Sequence, residues 1–468
     1  MNRSILAKPP LFPPFNTRVV LLLYRLIWAV CLPLIMFYLY RRGKKEPAYF
    51  KFLSERFGHH KPRDERHIWI HAVSLGEVRS AVPLIERLLQ DDTPVVTTHF
   101  TPAGRSEAVR LFPGAVADGR LTACYVPFDY GVAFARFFKA FRPVYGLVME
   151  VEFWPGMIMS SRKCGVPLYL CNGQYPSRSF QRDQKRFFSR AKIVPGFAGV
   201  MVKSELQAAR FRALGIDRVA ITGEMRFEQP IPQAHITAAR TLKNTEFGAR
   251  PVITMASMVV GEDTGALDMI AKVQSHFLQR GLDKPLFIYV PRAPERFDVV
   301  AGMISEKSFS YVKRSDVLDA HLRIKPRSET TAAENAKFDI NGVDIVLGDS
   351  LGEMYFYLEL CDLAIVGGGF SPKGSHNISE PLCLRKPVII GPNDYTIEFP
   401  AREAMAHGVC LQMDFSQITE QLITHPLQFA SNQQMGRFLD VHSGGTAKTI
   451  AALDDFMYPT SRESHHLH

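Results

Sequence analysis

The sequence has 468 residues, 46% hydrophobic and 22% charged, an ordinary balance for a globular protein of about two or three domains. The formal net charge of +10 is compatible with nucleic acid, an anionic membrane surface or phosphorylated substrates as partners. The sequence has neither zinc-ligand spacing nor an aromatic–basic RNA motif, so nucleic acid is the weakest of the three. The seven cysteines form no CxxC pair and predict free thiols in a reducing compartment.

The N-terminal region predicts a membrane anchor. Residues 1–16 are rich in proline and predict no regular structure, whereas residues 19–40 form an apolar run with Arg25 as its only charge. That run is long enough to cross a bilayer and lacks a cleavage site, so we expect an uncleaved anchor. Arg25 and Pro33 also fit a helix that lies on the membrane surface, and both arrangements stay open. Because the anchor precedes every predicted strand, we expect no core packing to depend on it.

A basic cluster follows the anchor directly and consists of Arg41, Arg42, Lys44 and Lys45. Positive residues of this kind predict that the C-terminal side of the anchor lies in the cytoplasm. The sequence therefore predicts a protein held at a membrane by one N-terminal segment, with its remaining domains on the cytoplasmic face.

From residue 67, short apolar runs alternate with amphipathic segments, which indicates parallel α/β sheets. The first series of predicted strands is Ile68–Ile70, Val95–Thr98, Tyr145–Met149, Leu168–Cys171, Val200–Val202 and Val219–Thr222. The second series is Val252–Ala256, Leu286–Val290, Ile345–Leu347, Leu363–Val366 and Val388–Ile390. Two successive α/β domains suggest two sheets that face each other across a cleft.

The predicted domain boundaries follow from these two series. We expect a tail and anchor over residues 1–45 and a first α/β domain over residues 46–228. A linker without strand character is expected over residues 229–250, a second α/β domain over residues 251–440, and a final helix with a polar tail over residues 441–468. Residues 304–342 are polar and irregular, which predicts a long surface excursion. The final helix is expected near residues 447–456.

A glycine-rich stretch at residues 365–392 predicts a phosphate site. A short strand stops at Gly367, and two more glycines follow, where the backbone can turn sharply and approach a ligand. A helix is expected at Ile378–Leu384, and free N–H groups at a helix start bind phosphate. Glu380, one turn into that helix, could hold a ribose diol. The alternative is a glycine-rich turn of an ordinary α/β protein, because such loops are common.

Seven motifs occur in order along the chain: HAVSLGE at 71–77, EVEFWP at 150–155, NGQYPSRS at 172–179, TGEMRFE at 222–228, VPRAPERF at 290–297, GDSLGEM at 348–354 and HNISEP at 376–381. In type and order they resemble the motifs of the 3-deoxy-D-manno-octulosonic acid (Kdo) transferases, over roughly residues 35–455. The resemblance implies a GT-B fold, with two Rossmann-like domains facing a cleft and an N-terminal membrane-anchor helix. It also implies transfer of Kdo from CMP-Kdo to the lipid A precursor (lipid IVA) in lipopolysaccharide biosynthesis, at the bacterial inner membrane.

The resemblance also implies which residues act. Glu77 is expected to be the catalytic base that takes the proton of the acceptor hydroxyl. The residues expected to bind the acceptor are Ser74, Gly76, Glu150, Glu152, Asn172 and Arg178. The residues expected to bind CMP-Kdo are Ser257, Gly261, Glu262, Pro291, Arg292, Gly352, Glu353, Met354, Gly374, Ser375, His376, Asn377 and Glu380. Neither a DxD motif nor a metal-ligand cluster stands out, so the transfer is expected to invert the sugar carbon without a metal or cofactor.

Taken alone, several of these residues have a simpler interpretation. Glu77 could stabilise the start of a helix through the helix dipole. Glu150 and Glu152 could be a solvated pair, and His376 could only fix its loop by a hydrogen bond. Arg296, close to the donor residues, could pair locally with Glu295.

The sequence departs from the family pattern at several positions, which leaves the acceptor open. Met258, Val259 and Val260 stand where the family has Thr-His-Glu, Gln174 replaces an arginine, and Glu224 replaces an asparagine. A divergent paralogue that uses CMP-Kdo or a related ulosonate with another acceptor is therefore an alternative. A non-catalytic membrane scaffold is a second alternative, but a scaffold needs neither Glu77 nor Glu380.

Overall fold

The computed structural model describes most of the chain, namely residues 13, 15–186, 189–325, 340, 342–425 and 429–458. The predicted unstructured segment 1–16 lies almost entirely outside these residues, and the first helix begins at Phe15. The chain divides into two compact units, Met1–Gln229 with Ser443–His468, and Pro230–His442. All seven cysteines are free, which confirms the predicted thiols.

The first unit contains a parallel sheet of seven strands in the order β3-β2-β1-β4-β5-β6-β7. The strands are β1 Ile68–His71, β2 Val95–His99, β3 Leu121–Tyr125, β4 Tyr145–Met149, β5 Leu168–Gly173, β6 Gly199–Val202 and β7 Val219–Ile221. The helices are α1 Phe15–Lys45, α2 Leu53–Arg56, α3 Leu75–Leu88, α4 Pro102–Leu111, α5 Pro113–Ala117, α6 Gly131–Phe141, α7 Pro155–Cys164, α8 Ser177–Lys185 and α9 Glu205–Arg212. The strand order reverses between β1 and β4, and ligands bind at the carboxyl ends of strands beside such a reversal.

The second unit also contains a parallel seven-stranded sheet, in the order β10-β11-β9-β8-β12-β13-β14. The strands are β8 Val252–Met258, β9 Leu286–Pro291, β10 Tyr311–Lys313, β11 Ile345–Leu347, β12 Leu363–Val366, β13 Val388–Ile390 and β14 Cys410–Gln412. The helices are α10 Gln233–Leu242, α11 Asp263–Gln279, α12 Phe297–Glu306, α13 Arg314–Val317, α14 Met354–Leu360, α15 Ser379–Cys383, α16 Glu398–Ala406, α17 Phe415–Thr424 and α18 Asn432–His442. Here the order reverses between β8 and β12.

Three sequence expectations about regular structure are corrected. Residues 230–250 belong to the second unit and are not a separate linker. The reason is that α10 is amphipathic and packs on α14, with Ile236 and Leu242 buried. The supposed excursion 304–342 contains β10 and α13, while its central part, residues 326–339, lies outside the described residues. Strands β3, β10 and β14 were missed because they are only partly buried and do not form continuous apolar runs.

After the second unit the chain returns to the first through a last helix, α19 (Gly445–Met457), close to its predicted position. The ring of Phe456 stacks on Tyr169 of β5 with the centroids 6.0 Å apart. The guanidinium of Arg218 donates to the carbonyl oxygen of Phe456 at 2.7 Å. This helix therefore completes the core on one face of the first sheet.

Helix α1 packs along the first unit on one side. Leu21 is part of its hydrophobic core, and the Tyr24 hydroxyl donates to the Asp129 carboxylate at 2.6 Å. The expectation that no core packing depends on the anchor is therefore wrong. Thr17–Lys45 is still long and apolar enough to cross a membrane, with a mean hydropathy of 2.3 over its most apolar stretch. Its other side exposes apolar residues such as Val30, which is 74% exposed.

Candidate active site

The predicted acceptor-side residues lie mostly at the carboxyl ends of three neighbouring strands. Ser74 and Glu77 follow β1, and Glu150 and Glu152 follow β4. Asn172 is the second-last residue of β5. Because β1, β4 and β5 are adjacent in the sheet, these residues share one edge beside the reversal of strand order. The fold of the first unit therefore brings these residues to one edge of the sheet, and their role in acceptor binding stays a prediction.

Glu77 sits in the first turn of α3 and is nearly buried, with 8% of its surface exposed. Its carboxylate accepts hydrogen bonds from the backbone N–H groups of Val73 and Ser74, and the Ser74 hydroxyl accepts one from Glu77 N at 3.4 Å. Burial and the charges of Glu152 and Glu150 outweigh these donors and raise the pKa of Glu77 to about 8. Glu77 thus caps a helix and is also a carboxyl group that titrates near neutral pH.

Glu150 is buried and ion-paired, not a member of a solvated pair. Its backbone is in the left-handed region, with φ of 56°, which is uncommon for a residue other than glycine. The carboxylate accepts hydrogen bonds from Arg226 at 2.7 Å and Gln174 at 3.3 Å, and the Lys203 ammonium lies 3.8 Å away. Such strained residues persist where surrounding contacts hold them, often at functional sites.

Asn172 is fully buried beneath this edge and supports it. It also has a left-handed backbone, with φ of 50°, at a register shift between β5 and β6. Its side-chain amide donates to Glu224 at 2.7 Å and to Ser80 at 3.1 Å, and its carbonyl oxygen accepts from Met225 N at 3.3 Å. Because protein partners use both ends of the amide, Asn172 holds the site together rather than offering a free group to an acceptor.

Glu224 and Lys203 form a buried ion pair at 2.8 Å, with 1% and 2% of their surfaces exposed. Burial disfavours the charged form of Glu224, but the charges of Lys203 and Arg226 outweigh it and hold its pKa below the usual value. Sequence reasoning missed Lys203, because no motif marks it.

The remaining acceptor-side residues are more open. Trp154 donates from its indole nitrogen to Glu152 at 2.5 Å, and burial raises the pKa of Glu152. Gly76 is exposed, and a Cβ there would meet only the Ser74 hydroxyl, at 3.9 Å. Arg178 is exposed on α8. Of the acceptor-side carboxylates, Glu152 is the one whose charge acts most strongly on Glu77.

The predicted donor-side residues lie at the ends of four consecutive strands of the second sheet, in the order β11, β9, β8 and β12. Ser257, the second-last residue of β8, has a left-handed backbone with φ of 58°, at a register shift between β8 and β9. Pro291 ends β9, and Arg292 follows it with an exposed side chain. Gly261 also has a positive φ of 97°, and Val260 beside it is 62% exposed. Bulges of this kind often re-aim side chains next to binding sites.

The glycine loop after β12 is held in place by Glu262. A Cβ at Gly367 would lie 2.7 Å from the Ser257 carbonyl oxygen, so only glycine fits there. The buried Glu262 carboxylate accepts from the N–H groups of Gly368 at 2.9 Å, Phe370 at 3.0 Å and Val259 at 3.1 Å. Glu262 was expected to bind the donor, but its oxygens are committed to the backbone, and it is a support of the loop.

Three polar side-chain atoms on this loop are buried without a hydrogen-bond partner among the residues described: Ser375 Oγ, His376 Nε2 and Ser379 Oγ. Buried polar groups are normally paired, so an unpaired cluster suggests that a ligand completes them. Burial and the charge of nearby Arg292 lower the pKa of His376, which favours its neutral form. Asn377 accepts from Ser379 N at 3.0 Å.

The helix expected at 378–384 is shorter than predicted. Helix α15 has only five residues and carries Glu380, which is half-buried, in its first turn. The loop backbone, with Gly374 at φ 91°, is therefore the better candidate for a phosphate cradle than a helix start.

After β11, the predicted donor residues contribute mainly to the second unit's own framework. Glu353 accepts from Arg314 at 2.7 Å and from Ser350 at 2.5 Å, while Gly352 is exposed and Met354 begins α14. Arg296 pairs with Asp263 at 2.5 Å and not with Glu295. Within the described ranges, no group of three or more His, Cys, Asp or Glu could hold a metal ion.

The fold matches that of a solved structure described as a glycosyltransferase from Rickettsia africae ESF-5. The TM-score is 0.52 with 10% identity, covering 85% of this chain and 100% of that chain. Two parallel α/β units, each with a reversal of strand order, define the architecture of the GT-B fold.

The family model of the 3-deoxy-D-manno-octulosonic-acid transferases (kdotransferases) matches residues 51–229. A 3-deoxy-D-manno-octulosonic acid transferase of Bordetella pertussis is 31% identical, over 91% of this chain and 96% of that protein. One from Haemophilus influenzae Rd is 28% identical, over 81% and 83%. The chain belongs to the 3-deoxy-D-manno-octulosonic acid transferase family.

Proposed function

We propose that this protein transfers Kdo from CMP-Kdo to the lipid A precursor lipid IVA, with inversion, on the cytoplasmic face of the bacterial inner membrane. The observation that carries the proposal is the buried carboxyl group of Glu77, at the reversal of strand order in the first unit, with a pKa of about 8. Membership of the Kdo transferase family supports the donor and the reaction class. The apolar helix α1 is consistent with membrane association.

In the proposed reaction, ionised Glu77 takes the proton of an acceptor hydroxyl. The oxygen then forms a bond to the anomeric carbon of Kdo from the face opposite CMP, and the bond from that carbon to the phosphate oxygen breaks. CMP leaves as a phosphate monoester and needs little acid help. A base works best when its pKa lies near the working pH, and the environment of Glu77 meets that condition.

For the donor, we propose the glycine loop of the second unit as the site of the CMP moiety. The backbone around Gly374 and the side chain of Asn377 are assigned to the phosphate, and Glu380 to the ribose diol. Arg292 is exposed after β9 and carries a guanidinium suited to the phosphate or to the Kdo carboxylate. The unpaired atoms of Ser375 and His376 support a polar ligand in this loop.

A second candidate is the same transfer to a different acceptor. It is favoured by Gln174 and Glu224, which replace the family's arginine and asparagine and lie in the hydrogen-bond network around Glu150 and Asn172. These changes concern the acceptor side, whereas the HNISEP segment of the donor loop keeps the family pattern.

The test is to incubate the purified full-length protein with CMP-Kdo and lipid IVA and to measure the mass of the lipid. We expect one or more additions of Kdo, with the opposite anomeric configuration to the donor by NMR. Release of CMP without a heavier lipid, but with a heavier product from another acceptor, would favour the second candidate. No consumption of CMP-Kdo with any acceptor would contradict both.

A further inference from the structure

A cavity of about 790 Å³ lies within the first unit, between α1 and the segments that follow the ends of β2, β3 and β4. Its walls are mainly apolar, with Ile27, Trp28 and Ile35 on α1 and with Phe128 and Phe153 on the opposite side. The volume is within the range of about 300–1,000 Å³ that is usual for small-molecule pockets. The anchor helix is thus also one wall of a cavity large enough to hold part of a lipid.

This cavity shares two lining residues with the candidate active site. Glu152 and Trp154 both line it, and Glu152 is the carboxylate whose charge acts on Glu77. A molecule that fills the cavity therefore lies against a carboxylate that acts on the proposed base.

Arg56 also lines the cavity and is nearly completely buried, with 1% of its surface exposed. One nitrogen, Nη2, donates to the carbonyl oxygen of Phe100 at 3.0 Å, and the guanidinium lies 4.1 Å from the ring centroid of Tyr125. Its Nε and Nη1 atoms have no hydrogen-bond partner in the part of the chain that the structure describes. A buried cation with unused donors is costly unless an anion completes it.

We propose that this cavity binds an acyl chain of the lipid acceptor, with an anionic group of the acceptor's headgroup held by Arg56. The inference rests on the proposed function, because it names how the lipid substrate of that site is held. The acceptor is favoured over a bulk phospholipid because the cavity reaches Glu152, so the chain's headgroup is delivered to Glu77. Helix α1 then contributes directly to recognition of the lipid and does more than raise its local concentration.

The first test compares two neighbouring substitutions on α1. Ile35→Gln places an amide in the cavity wall, whereas Leu34→Gln places the same amide on the exposed side, since Leu34 is 67% exposed and does not line the cavity. The measured quantity is the ratio of kcat/KM for lipid IVA to kcat/KM for the fully deacylated, water-soluble acceptor. We expect Ile35→Gln to lower this ratio about tenfold, because an amide covered by an acyl chain loses its water. Equal ratios in the two variants would overturn the proposal.

The second test does not depend on transfer. In a full-length Trp28→Phe variant the two remaining tryptophans are Trp69, which is completely buried, and Trp154 in the cavity. Dibrominated myristate should quench the fluorescence saturably, and the added Ile35→Gln substitution should weaken that binding about tenfold while Leu34→Gln leaves it unchanged. Arg56→Met should weaken myristate binding but not the binding of an uncharged brominated alkyl maltoside.

The two proposals fail in different ways. Saturable quenching without any transfer from CMP-Kdo would keep the acyl site and overturn the proposed function. Transfer to lipid IVA together with quenching that is non-saturable, or equal in the Ile35→Gln and Leu34→Gln variants, would overturn the acyl site.

Discussion

The guanidinium of Arg226 donates a hydrogen bond of 2.7 Å to the carboxylate of Glu150, which is held in a left-handed backbone conformation at the end of β4. Gln174 donates to the same carboxylate, and Glu224 pairs with the nearby Lys203. Positions 174 and 224 are both places where the sequence departs from the family pattern. The departures therefore lie in one network and are coupled through direct contacts.

We predict that Arg226→Met lowers kcat/KM for transfer and moves the acid limb of its pH profile to higher pH. The reason is that Glu150 loses its closest cation, so its charge opposes the ionisation of Glu77 more strongly. The pH dependence of kcat/KM measures this directly. Arg226→Lys is the control and should retain most of the activity. An unchanged pH profile for Arg226→Met would show that the charge of Glu150 does not affect the ionisation of Glu77.

The buried pair of Lys203 and Glu224 should be important for stability. Lys203→Met leaves the Glu224 carboxylate buried without its cation and should lower the free energy of unfolding by about 3–5 kcal/mol. The double variant Lys203→Met, Glu224→Met should lose less than the sum of the two single changes. Denaturant unfolding at neutral pH measures all three values, and additive losses would argue against the pairing.

The same pair gives a pH dependence with a defined sign. Because the pKa of Glu224 is lowered in the folded protein, its stabilising effect is present above the unfolded value of about 4.3 and is lost as the pH falls further.

We predict that Glu262→Gln weakens CMP binding although this residue touches no ligand in the proposed donor site. The amide can accept through one oxygen only and turns an N–H₂ group toward backbone donors, so the glycine loop loses part of its support. Loss of hydrogen bonds to a charged group typically costs about 1–3 kcal/mol. Calorimetry with CMP measures the affinity. The thermal unfolding temperature measures how much the hydrogen bonds of Glu262 to the loop stabilise the fold.

Glu380→Ala is the matched comparison for that change. It should also weaken CMP binding by about 1–3 kcal/mol, through loss of the proposed ribose contact. Unchanged affinity in Glu380→Ala would remove the ribose assignment, and unchanged affinity in Glu262→Gln would show that the loop keeps its shape without the carboxylate.

The sequence predicted the strands that carry the site because β1, β4 and β12 are fully buried, and β8 is buried except at Ser257, so that they are mainly apolar runs. It missed the edge strands β10 and β14, which are short and only partly buried and therefore do not form a continuous apolar run. Strand β3 was missed because its middle residues are half-buried.

The contacts that define the site were less accessible from sequence. Lys203 acts through Glu224 and Glu150, which come from different segments and meet only in the folded sheet. Similarly, α1 is apolar on all sides, so its sequence does not reveal which side packs against Phe128 and Asp129. Motif reasoning identified Glu262 but assigned it to the ligand, because a motif does not distinguish a contact from a support.

The pKa of Glu77 predicts how activity depends on pH. A base acts in its ionised form, and a pKa raised to about 8 means that this form becomes scarcer as the pH falls below 8. We expect kcat/KM to fall about tenfold per pH unit below that value and to level off above it. Glu152→Gln removes one of the charges that raise this pKa, so its acid limb should move to lower pH. An acid limb at the same pH as in the wild-type protein would show that Glu152 does not raise the pKa of Glu77.

The most direct measurement is the rate of Kdo transfer from CMP-Kdo to lipid IVA by Glu77→Gln beside the wild-type protein. Glutamine keeps the size of the side chain but cannot take the acceptor's proton, so transfer should fall by about 10²–10⁴-fold. CMP binding, by contrast, should be nearly unchanged, because the proposed donor loop lies in the other unit. Wild-type turnover by a folded Glu77→Gln variant would contradict the assignment of Glu77 as the base.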